Sequence, residues 1–296
     1  MFKGSLVALV TPFSQNNEVD ERALERLVEF HIRNRTDAIV PCGTTGESAT
    51  LNYEEHERVI EICVRAAKKR IPVIAGTGSN STQEAIDMSL FAARVGADGL
   101  LLVSPYYNKP TQKGLYLHFK AIADKVNLPI CLYNIASRTA VNIEPETVAR
   151  LVGDCKNIVA IKEASGSLEQ MARIVALCGK RLIMLSGDDA LTLPVMAIGG
   201  QGVISVVANI IPADVKAMVV AFNKGNMREA RHLHYKMQPL IKAMFIETNP
   251  IPVKTAMGLM KMCSPSLRLP MCPMSDDNLG RLKTALKQYG PLGNKK

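Results

Sequence analysis

Just past its midpoint the chain carries the segment Asn157–Gly166, with the sequence NIVAIKEASG. Its apolar, partly β-branched run predicts a buried strand that Lys162 closes, just before a turn containing glycine. An ammonium group is costly to desolvate, so a lysine at a buried strand end needs an explanation. One explanation is a stem that covers apolar surface while the charge reaches water. The other is a desolvated, neutral amine that attacks a carbonyl and forms a Schiff base.

Similar apolar runs recur at intervals of roughly 20–35 residues, with segments of helical period between them. The predicted strands are Leu6–Val10, Ala38–Val40, Val73–Ala75, Gly99–Val103, Ile130–Tyr133, Ile158–Ile161, Leu182–Leu185 and Gly202–Val206. The intervening helices include Asp20–Arg33, Tyr53–Lys69, Thr82–Val95 and Gly114–Val126. Roughly eight β-then-α units over about 220 residues predict an α/β fold, a (β/α)8 TIM barrel. A doubly wound sheet would usually carry a glycine-rich fingerprint after its first strand, where this chain has Thr11-Pro12-Phe13.

The pattern changes after Val206, where no further strand is predicted. The remaining apolar periods indicate helices at Pro212–Asn223, Met227–Ala243, Pro252–Met262 and Asp276–Gln288. No low-complexity linker separates these helices from the barrel. We therefore divide the chain into a (β/α)8 catalytic barrel, residues 1–223, and a C-terminal helical region, residues 224–296, packed on the barrel.

Composition and charge limit the classes of function. Hydrophobic residues make up 47% of the chain and charged residues 21%, which is typical of a soluble globular protein. The net charge of +9 arises in residues 224–296, which hold 13 Lys and Arg against 4 Asp and Glu. A basic region can indicate nucleic-acid binding, but these charges are spaced singly along helical patterns and lack an aromatic platform. We expect a solvated helical surface and no nucleic-acid partner.

The sequence also predicts a cytoplasmic location. No apolar run approaches the ~20 residues needed to span a membrane. The short apolar stretch at the N-terminus leads straight into Thr11-Pro12 without a small-x-small cleavage site, so we expect a first strand and no signal peptide. Seven scattered cysteines without a C-x-x-C pair indicate reduced, mostly buried thiols.

The active site of a TIM barrel lies at the C-terminal ends of its strands, where this chain places a coherent set of side chains. The second strand leads into CGTTGES (Cys42–Ser48), whose backbone N–H groups could cradle a carboxylate, although a turn that caps the next helix is the simpler interpretation. The fourth strand precedes Tyr106 and Tyr107, and the fifth ends at Tyr133, ahead of Arg138. Each alone has an ordinary explanation, a packed tyrosine or a solvated arginine. Together with the lysine they describe an imine-forming enzyme for small anionic substrates.

Other catalytic centres have less support in the sequence. The five histidines form no metal pattern, because His56-Glu57 lacks the second histidine of H-E-x-x-H and His232 and His234 lie two residues apart on a helical stretch. A nucleophilic Cys–His pair stays open, although no local signature supports one.

At these positions the chain resembles the dihydrodipicolinate synthase family, within the superfamily of pyruvate-dependent class I aldolases and N-acetylneuraminate lyase. The matching motifs are Gly43-Thr44-Thr45-Gly46-Glu47, Thr77-Gly78-Ser79-Asn80, Ser104-Pro105-Tyr106-Tyr107-Asn108, Tyr133-Asn134-x-x-Ser137-Arg138-Thr139, Ile161-Lys162-Glu163-Ala164, Ser186-Gly187-Asp188-Asp189 and Asn249-Pro250-Ile251-Pro252-Val253-Lys254. They occur in order along nearly the whole chain, which is more specific than any single motif. The chain departs from the family pattern at Ala136, where proline is common, and at Ala140, where glycine often follows.

The resemblance implies condensation of pyruvate with aspartate semialdehyde, the first committed step towards diaminopimelate and lysine. It implies Lys162 as the Schiff-base nucleophile and Tyr133 as the proton carrier, linked through Thr44 to Tyr107 in a hydroxyl relay. This chemistry requires no metal and no organic cofactor. The resemblance further implies that Tyr107 reaches into a neighbouring subunit's site, within a homotetramer of tight dimers.

The same resemblance implies how the substrates are held. The hydroxyl of Thr45 and nearby backbone N–H groups would bind the pyruvate carboxylate, and Arg138 would bind that of the semialdehyde in a bidentate fork. Gly187 and the carbonyl of Ile204 would line the far wall. Two alternatives stay open: another pyruvate-dependent aldolase, such as N-acetylneuraminate lyase or a 2-keto-3-deoxy sugar acid aldolase, and a non-catalytic barrel that binds a metabolite or partner.

Many bacterial members of the resembled family bind the pathway product lysine at the tight-dimer interface. The resemblance places that pocket at six residues, Ser48, Ala49, His56, Asn80, Glu84 and Tyr106. Without the family, Glu84 is a first-turn helix acid, with Ser81 as its cap, and His56 is a surface helix residue. Tyr53 stands where lysine-sensitive members often have histidine, which argues against sensitivity more than against binding.

Overall fold

The computed structural model describes residues 1–290 and places eight parallel strands in one sheet. The strands are β1 (Gly4–Ala8), β2 (Ala38–Val40), β3 (Ile74–Gly76), β4 (Gly99–Val103), β5 (Ile130–Asn134), β6 (Ile158–Glu163), β7 (Ile183–Ser186) and β8 (Gly202–Ser205). Their order is β2-β1-β8-β7-β6-β5-β4-β3, and a parallel bridge between Ile39 and Val73 joins the two ends. The sheet therefore closes into a (β/α)8 barrel, and the predicted fold class is confirmed.

The strands bury both faces, as a barrel surrounded by helices requires. Alternate residues point inward and form a cluster that fills the barrel: Leu6, Ala8, Val40, Ile74, Leu101, Cys131, Tyr133, Ala160, Leu185 and Ile204. Their neighbours along each strand point outward and pack against the helices in a second, larger cluster. The near-continuous apolar runs of the sequence follow from this two-sided burial.

Twelve α-helices accompany the strands in residues 1–290. They are α1 (Glu21–Arg33), α2 (Tyr53–Ala67), α3 (Thr82–Arg94), α4 (Gln112–Ala123), α5 (Ala136–Thr139), α6 (Pro145–Asp154), α7 (Leu168–Cys178), α8 (Thr192–Ala197), α9 (Pro212–Asn223), α10 (Met227–Ala243), α11 (Ile251–Leu259) and α12 (Asp276–Tyr289). Helix α4 begins two residues earlier than predicted because the Thr111 side chain accepts from Gly114 N and caps it. The short helices α5 and α8 lie in segments where we predicted none.

Helices α10 to α12 follow the barrel in sequence. Helix α10 lies against α9 and α12, and α11 lies against α12 and the loop that follows β8. The predicted division into residues 1–223 and 224–296 stays a prediction, and residues 291–296 lie outside the described part of the chain. No helix among the described residues is both long and apolar enough to cross a membrane.

Candidate active site

Lys162 and Tyr133 lie side by side at the end of the barrel. The register of β5 and β6 shifts by one residue between Ile130 and Cys131, and beyond this bulge Tyr133 pairs directly with Lys162. Cross-strand partners share a face, so both side chains point inward. The Lys162 Nζ lies 4.1 Å from the centroid of the Tyr133 ring, and both residues are buried. A bulge beside a catalytic pair is a common device for aiming side chains.

The predicted end of β6 needs a correction, because the strand continues through Lys162 to Glu163. The carboxylate of Glu163 is fully buried and turned away from the lysine. It accepts hydrogen bonds from Asn134 Nδ2 at 2.9 and 3.2 Å and from Ser165 N at 2.7 Å. These donors compensate for its desolvation and fix the strand end that carries the lysine.

Gly187 leaves the space that the lysine side chain occupies. A Cβ at this position would lie 3.2 Å from Lys162 Cε and 2.6 Å from Ala164 Cβ, too close for any larger residue without displacement. Ile204 is buried on β8, and its side chain belongs to the cluster that fills the barrel. The structure thus brings Gly187 to the lysine, while the Ile204 side chain lies in the barrel interior.

The turn after β2 has the free donors that an anion cradle requires. Its own hydrogen bonds run from Gly46 N to Gly43 O (3.1 Å) and from Glu47 N to Thr44 O (3.1 Å). Within residues 1–290 the amide N–H groups of Thr44 and Thr45 have no acceptor. Successive free amides in a turn form a concave site for a carboxylate. The simpler interpretation, a turn that only caps a helix, does not account for them.

Asn249 joins this cradle to Arg138. Its Nδ2 donates to the Thr45 hydroxyl oxygen (3.0 Å), and its backbone carbonyl accepts from Arg138 Nη2 (3.0 Å). Its Oδ1 is buried and has no partner in residues 1–290. Arg138 itself is exposed and lies on the short helix α5, not in an extended loop. Ala140, which departs from the family pattern, ends that helix in the left-handed conformation (φ 53°) that glycine adopts more readily.

One cavity of about 520 Å³ contains most of the predicted residues. It is lined by Thr44, Tyr133 and Arg138 and, in what we call its outer part, by five residues of the predicted effector pocket: Ser48, Ala49, His56, Glu84 and Tyr106. Lys162, Thr45 and Gly187 are not among its lining residues, and the lysine adjoins the cavity through Tyr133. Asn80 supports this outer part, because its Oδ1 accepts from Tyr106 N at 2.7 Å. Tyr107 is 89% exposed and does not line the cavity of its own chain.

The outer part of the cavity contains charged and polar groups with altered acidity. Glu84 accepts from Ser79 Oγ at 2.6 Å and from the Tyr53 hydroxyl, and these bonds lower the Glu84 pKa. The same carboxylate raises the pKa of Tyr53 to about 12. The Ser81 hydroxyl caps α3, but Glu84 turns to Ser79 and does not complete a capping box.

His56 corrects one expectation, because it is a buried residue and not a surface one. Its Nε2 lies 2.7 Å from the Gly76 carbonyl, which can only accept, so this nitrogen carries the proton. Burial lowers the pKa of His56. The ring is therefore a neutral wall of the cavity.

The sequence pattern of the Dihydrodipicolinate synthetase family matches residues 1–289. The chain belongs to this family. It is 61% identical to a 4-hydroxy-tetrahydrodipicolinate synthase of Geotalea uraniireducens, over 98% of this chain and 99% of that one. It superimposes on the crystal structure of the Aquifex aeolicus dihydrodipicolinate synthase with a TM-score of 0.97, at 53% identity, over 99% and 100% of the two chains. A Cyanidioschyzon merolae member with lysine bound matches with a TM-score of 0.95, at 43% identity, over 98% of each chain.

Some residues of this family member's site escaped the sequence analysis. Glu47 and Lys254 had been recognised only as letters of motifs, yet their side chains meet in a buried ion pair at 2.6 Å. Asn249, likewise, is the link between Thr45 and Arg138. These contacts join positions more than 100 residues apart, and no local pattern signals them.

Proposed function

We propose that this protein condenses pyruvate with L-aspartate 4-semialdehyde to 4-hydroxy-tetrahydrodipicolinate, a class I lyase reaction that opens diaminopimelate and lysine biosynthesis. The observation that carries the proposal is the buried Lys162 opposite Tyr133. Among residues 1–290, no carboxylate lies within the 4.0 Å of Lys162 Nζ that defines an ion pair. An amine without an anionic partner, beside a phenol and facing a water-excluding barrel, suits Schiff-base chemistry. The family's curated members named 4-hydroxy-tetrahydrodipicolinate synthase support this choice over the sugar acid aldolases.

The reaction balances with the residues present. Neutral Lys162 attacks the ketone carbon of pyruvate, and loss of water gives an imine. A proton leaves the pyruvate methyl group, and the resulting enamine attacks the aldehyde carbon of the semialdehyde. The amino group of the condensed substrate then replaces the lysine at the imine carbon, which closes the ring and frees the enzyme.

Each step moves a proton, and Tyr133 is the proposed carrier. Its ring contacts the lysine, so its hydroxyl can protonate the leaving water and later the new alkoxide. Thr44 lines the same cavity and would relay the proton. We assign the far end of the relay to Tyr107 of a second subunit, because Tyr107 is exposed on its own chain.

The proposed binding groups lie in the turn after β2, on α5 and beside the lysine. The free amides of Thr44 and Thr45, with the Thr45 hydroxyl, would hold the pyruvate carboxylate. Because Thr45 Oγ1 accepts from Asn249, its own proton is free to point at the ligand. Arg138 would hold the semialdehyde carboxylate, and Gly187 and the Ile204 carbonyl would complete the wall.

The decisive experiment is treatment with pyruvate and borohydride, followed by mass spectrometry. We expect one covalent label, on Lys162, and none in Lys162→Arg, because a guanidinium stays protonated and cannot act as the amine. A coupled assay then compares aspartate semialdehyde with N-acetylmannosamine. A label on another residue, full turnover by the variant, or preference for the sugar would contradict the proposal.

We further propose a homotetramer of tight dimers in the cytoplasm. The exposed Tyr106 and Tyr107 suit an interface where one subunit completes the other's relay. The cysteines within residues 1–290 are all free thiols, five of them buried, which fits a reducing compartment. Light scattering gives the mass, and Tyr107→Phe should lower turnover without dissociating the assembly.

A second proposed function is binding of the pathway product lysine in the outer cavity. The specific observation is Glu84, an anionic group at one end, with neutral His56 and Tyr106 as walls. Because this space adjoins Thr44, an occupant could disturb the relay without competing for pyruvate. Calorimetry at millimolar lysine should show binding that Glu84→Ala removes and Glu54→Ala, on the exposed face of α2, leaves intact. Absence of binding would refute this function.

A further inference from the structure

A buried ion pair ties the carboxylate cradle to the C-terminal helices. Lys254 on α11 donates to Glu47 Oε1 at 2.6 Å, and the two side chains are 0% and 2% exposed. The other carboxylate oxygen, Oε2, accepts from the backbone N–H of Arg268 at 3.2 Å. A single carboxylate at the end of the Gly43–Ser48 turn therefore contacts two separate parts of the C-terminal region.

The surroundings of the pair hold it rigidly. Lys254 Nζ and the Arg268 guanidinium lie 4.2 and 4.3 Å from the centroid of the Phe13 ring. The Arg268 guanidinium also forms a bidentate ion pair with Glu55 of α2, with both distances 2.6 Å. The turn that carries the cradle is thus fixed between the segment that follows β1, helix α2 and helix α11.

Stability alone does not explain a pair of this kind. Buried ion pairs are often replaced by apolar residues of similar volume without loss of stability, because desolvating two charges offsets most of their attraction. Burial lowers the pKa of Lys254, and the charge of Glu47 opposes that shift. What such a pair does supply is a defined position for each partner.

That position matters for the cradle. Glu47 has a left-handed backbone (φ 53°), which is unfavourable for a residue with a side chain. From it, the Glu47 amide donates to Thr44 O at 3.1 Å, which orients the peptide that carries the Thr45 N–H. The amides on either side of Glu47, of Gly46 and Ser48, donate to Gly43 O at 3.1 and 3.3 Å, which orients the peptide that carries the Thr44 N–H. Helix α11 also begins next to Asn249, which donates to the Thr45 hydroxyl. One helix therefore supports the cradle at two points.

We propose that Glu47 and Lys254 are positioning residues, which hold the Thr44 and Thr45 amides in the orientation that binds the pyruvate carboxylate. Because the Glu47 carboxylate is engaged by Lys254 and by the Arg268 amide, we assign the pair no direct contact with substrate. This inference rests on the proposed function, in particular on pyruvate as the first substrate.

The test compares Glu47→Gln, Lys254→Met and the double variant in the full-length protein. The readout is the pyruvate concentration that gives half-maximal borohydride trapping on Lys162. We expect it to rise about 10- to 100-fold in each single variant, since small misplacements of binding groups have effects of that size. The KM for the semialdehyde should stay within about threefold, because its binding group is not the cradle.

The double variant separates positioning from stability. It removes both buried charges, so we expect its melting temperature to recover towards that of the wild type. Half-maximal trapping should still require the raised pyruvate concentration, because the tether remains broken. If the melting temperature and the pyruvate concentration for half-maximal trapping both return to the wild-type values, the pair only stabilises the fold and the inference is wrong.

Leu282→Ala serves as the matched control, because Leu282 is fully buried in α12, a helix that carries neither residue of the pair. It should lower the melting temperature and leave half-maximal trapping unchanged. An equal loss of pyruvate binding in this control would overturn the positioning role. Should Lys254→Met fail to fold, Glu47→Gln alone decides, because it keeps the side-chain shape and the Arg268 contact. A wild type that traps no pyruvate refutes the proposed function instead, whereas normal trapping in wild type and variants refutes only this inference.

Discussion

The mouth of the barrel contains two buried lysines in opposite circumstances. Lys162 ends β6 and Lys254 lies on α11, and each places its Nζ close to an aromatic ring, at 4.1 Å from Tyr133 and 4.2 Å from Phe13. Lys254 also has a carboxylate at 2.6 Å. Within residues 1–290, Lys162 has none in ion-pair range.

This difference shows how one type of residue serves two purposes in one region. A carboxylate in contact stabilises the charged form of an amine and fixes its position. A lysine that lacks this partner and lies beside a phenol has no anion to hold its position and has a potential proton carrier next to it. The partner, and not burial, distinguishes the structural lysine from the proposed nucleophile.

The largest expected effect is on turnover. It comes from replacing Tyr133, the ring beside Lys162, with phenylalanine, the type of ring that lies beside Lys254. Tyr133→Phe keeps the packing and removes the hydroxyl, so turnover should fall by about 10²–10⁴. Steady-state assays with both substrates measure this loss. Tyr116→Phe, at a buried tyrosine on α4 that does not line the cavity, is the control and should keep full turnover. Unchanged turnover in Tyr133→Phe would remove the distinction between the two rings.

The comparison of the two lysines also predicts how the free energy of unfolding changes when each lysine is replaced. Lys254→Met leaves the Glu47 carboxylate buried without its partner, so the free energy of unfolding should fall by about 3–5 kcal/mol. Lys162→Met removes an amino group that leaves no carboxylate unpaired, so stability should stay the same or rise by about 1 kcal/mol. Urea denaturation of both variants gives the two values. Equal losses would show that the lysines are equivalent.

Arg138 extends the comparison to an exposed cation. Arg138→Lys keeps the charge but loses the planar fork, so use of the semialdehyde should weaken by about 1.5–3 kcal/mol. The KM for the semialdehyde should rise while that for pyruvate changes little. If semialdehyde kinetics stay intact, the second substrate is misassigned and the sugar acid aldolases regain support.

The smallest expected effect is on the pH dependence of stability and comes from two buried histidines. Like Lys162, they are buried bases that form no ion pair with a carboxylate within residues 1–290. Burial lowers the pKa of His31 to about 3 and that of His118 to about 4. In the unfolded chain a histidine has a pKa of about 6.5. At a pH between the folded and unfolded pKa values the unfolded chain binds more protons than the folded one. Their contribution to stability is therefore fully present above about pH 6.5 and is lost as the pH falls. From pH 7 to 5.5 we expect a loss of about 1 kcal/mol for each histidine.

Denaturant titrations between pH 7 and 5.5 measure this loss in the free energy of unfolding. His31→Leu should reduce the loss between pH 7 and 5.5 by about 1 kcal/mol, and His232→Gln, at an exposed position of α10, should leave it unchanged. A stability that does not vary from pH 7 to 5.5 would mean that these histidines are protonated in the folded protein.

Much of the fold followed from the sequence, because apolar periodicity reports burial directly. The predicted strands and the longer helices differ from the observed ones by at most three residues at any end. The strand ends then located Tyr133 and Lys162, since a barrel gathers the ends of all its strands at one mouth. Helices α5 and α8 were missed because they have only four and six residues, too few to show a helical period.

The supporting contacts could not be predicted in the same way. Glu47 and Lys254 are 207 residues apart, and Asn249 and Thr45 are 204 apart. Their pairing depends on how α11 lies on the barrel, and no local pattern encodes this. His56 was similarly misjudged as a surface residue, because its burial comes from neighbours outside α2.

The position of β8 between β1 and β7 imposes an order on the folding of the chain during translation. A growing chain holds Lys162 and Tyr133 long before residue 205 emerges from the ribosome, yet β1 has to wait for β8 before the barrel can close. The cradle has to wait longer, until Lys254 has been translated. We therefore expect a nascent polypeptide to possess its nucleophile before it can retain a substrate, and a premature stop codon between residues 224 and 253 to leave the strands and α9 of the barrel with an unsupported cradle.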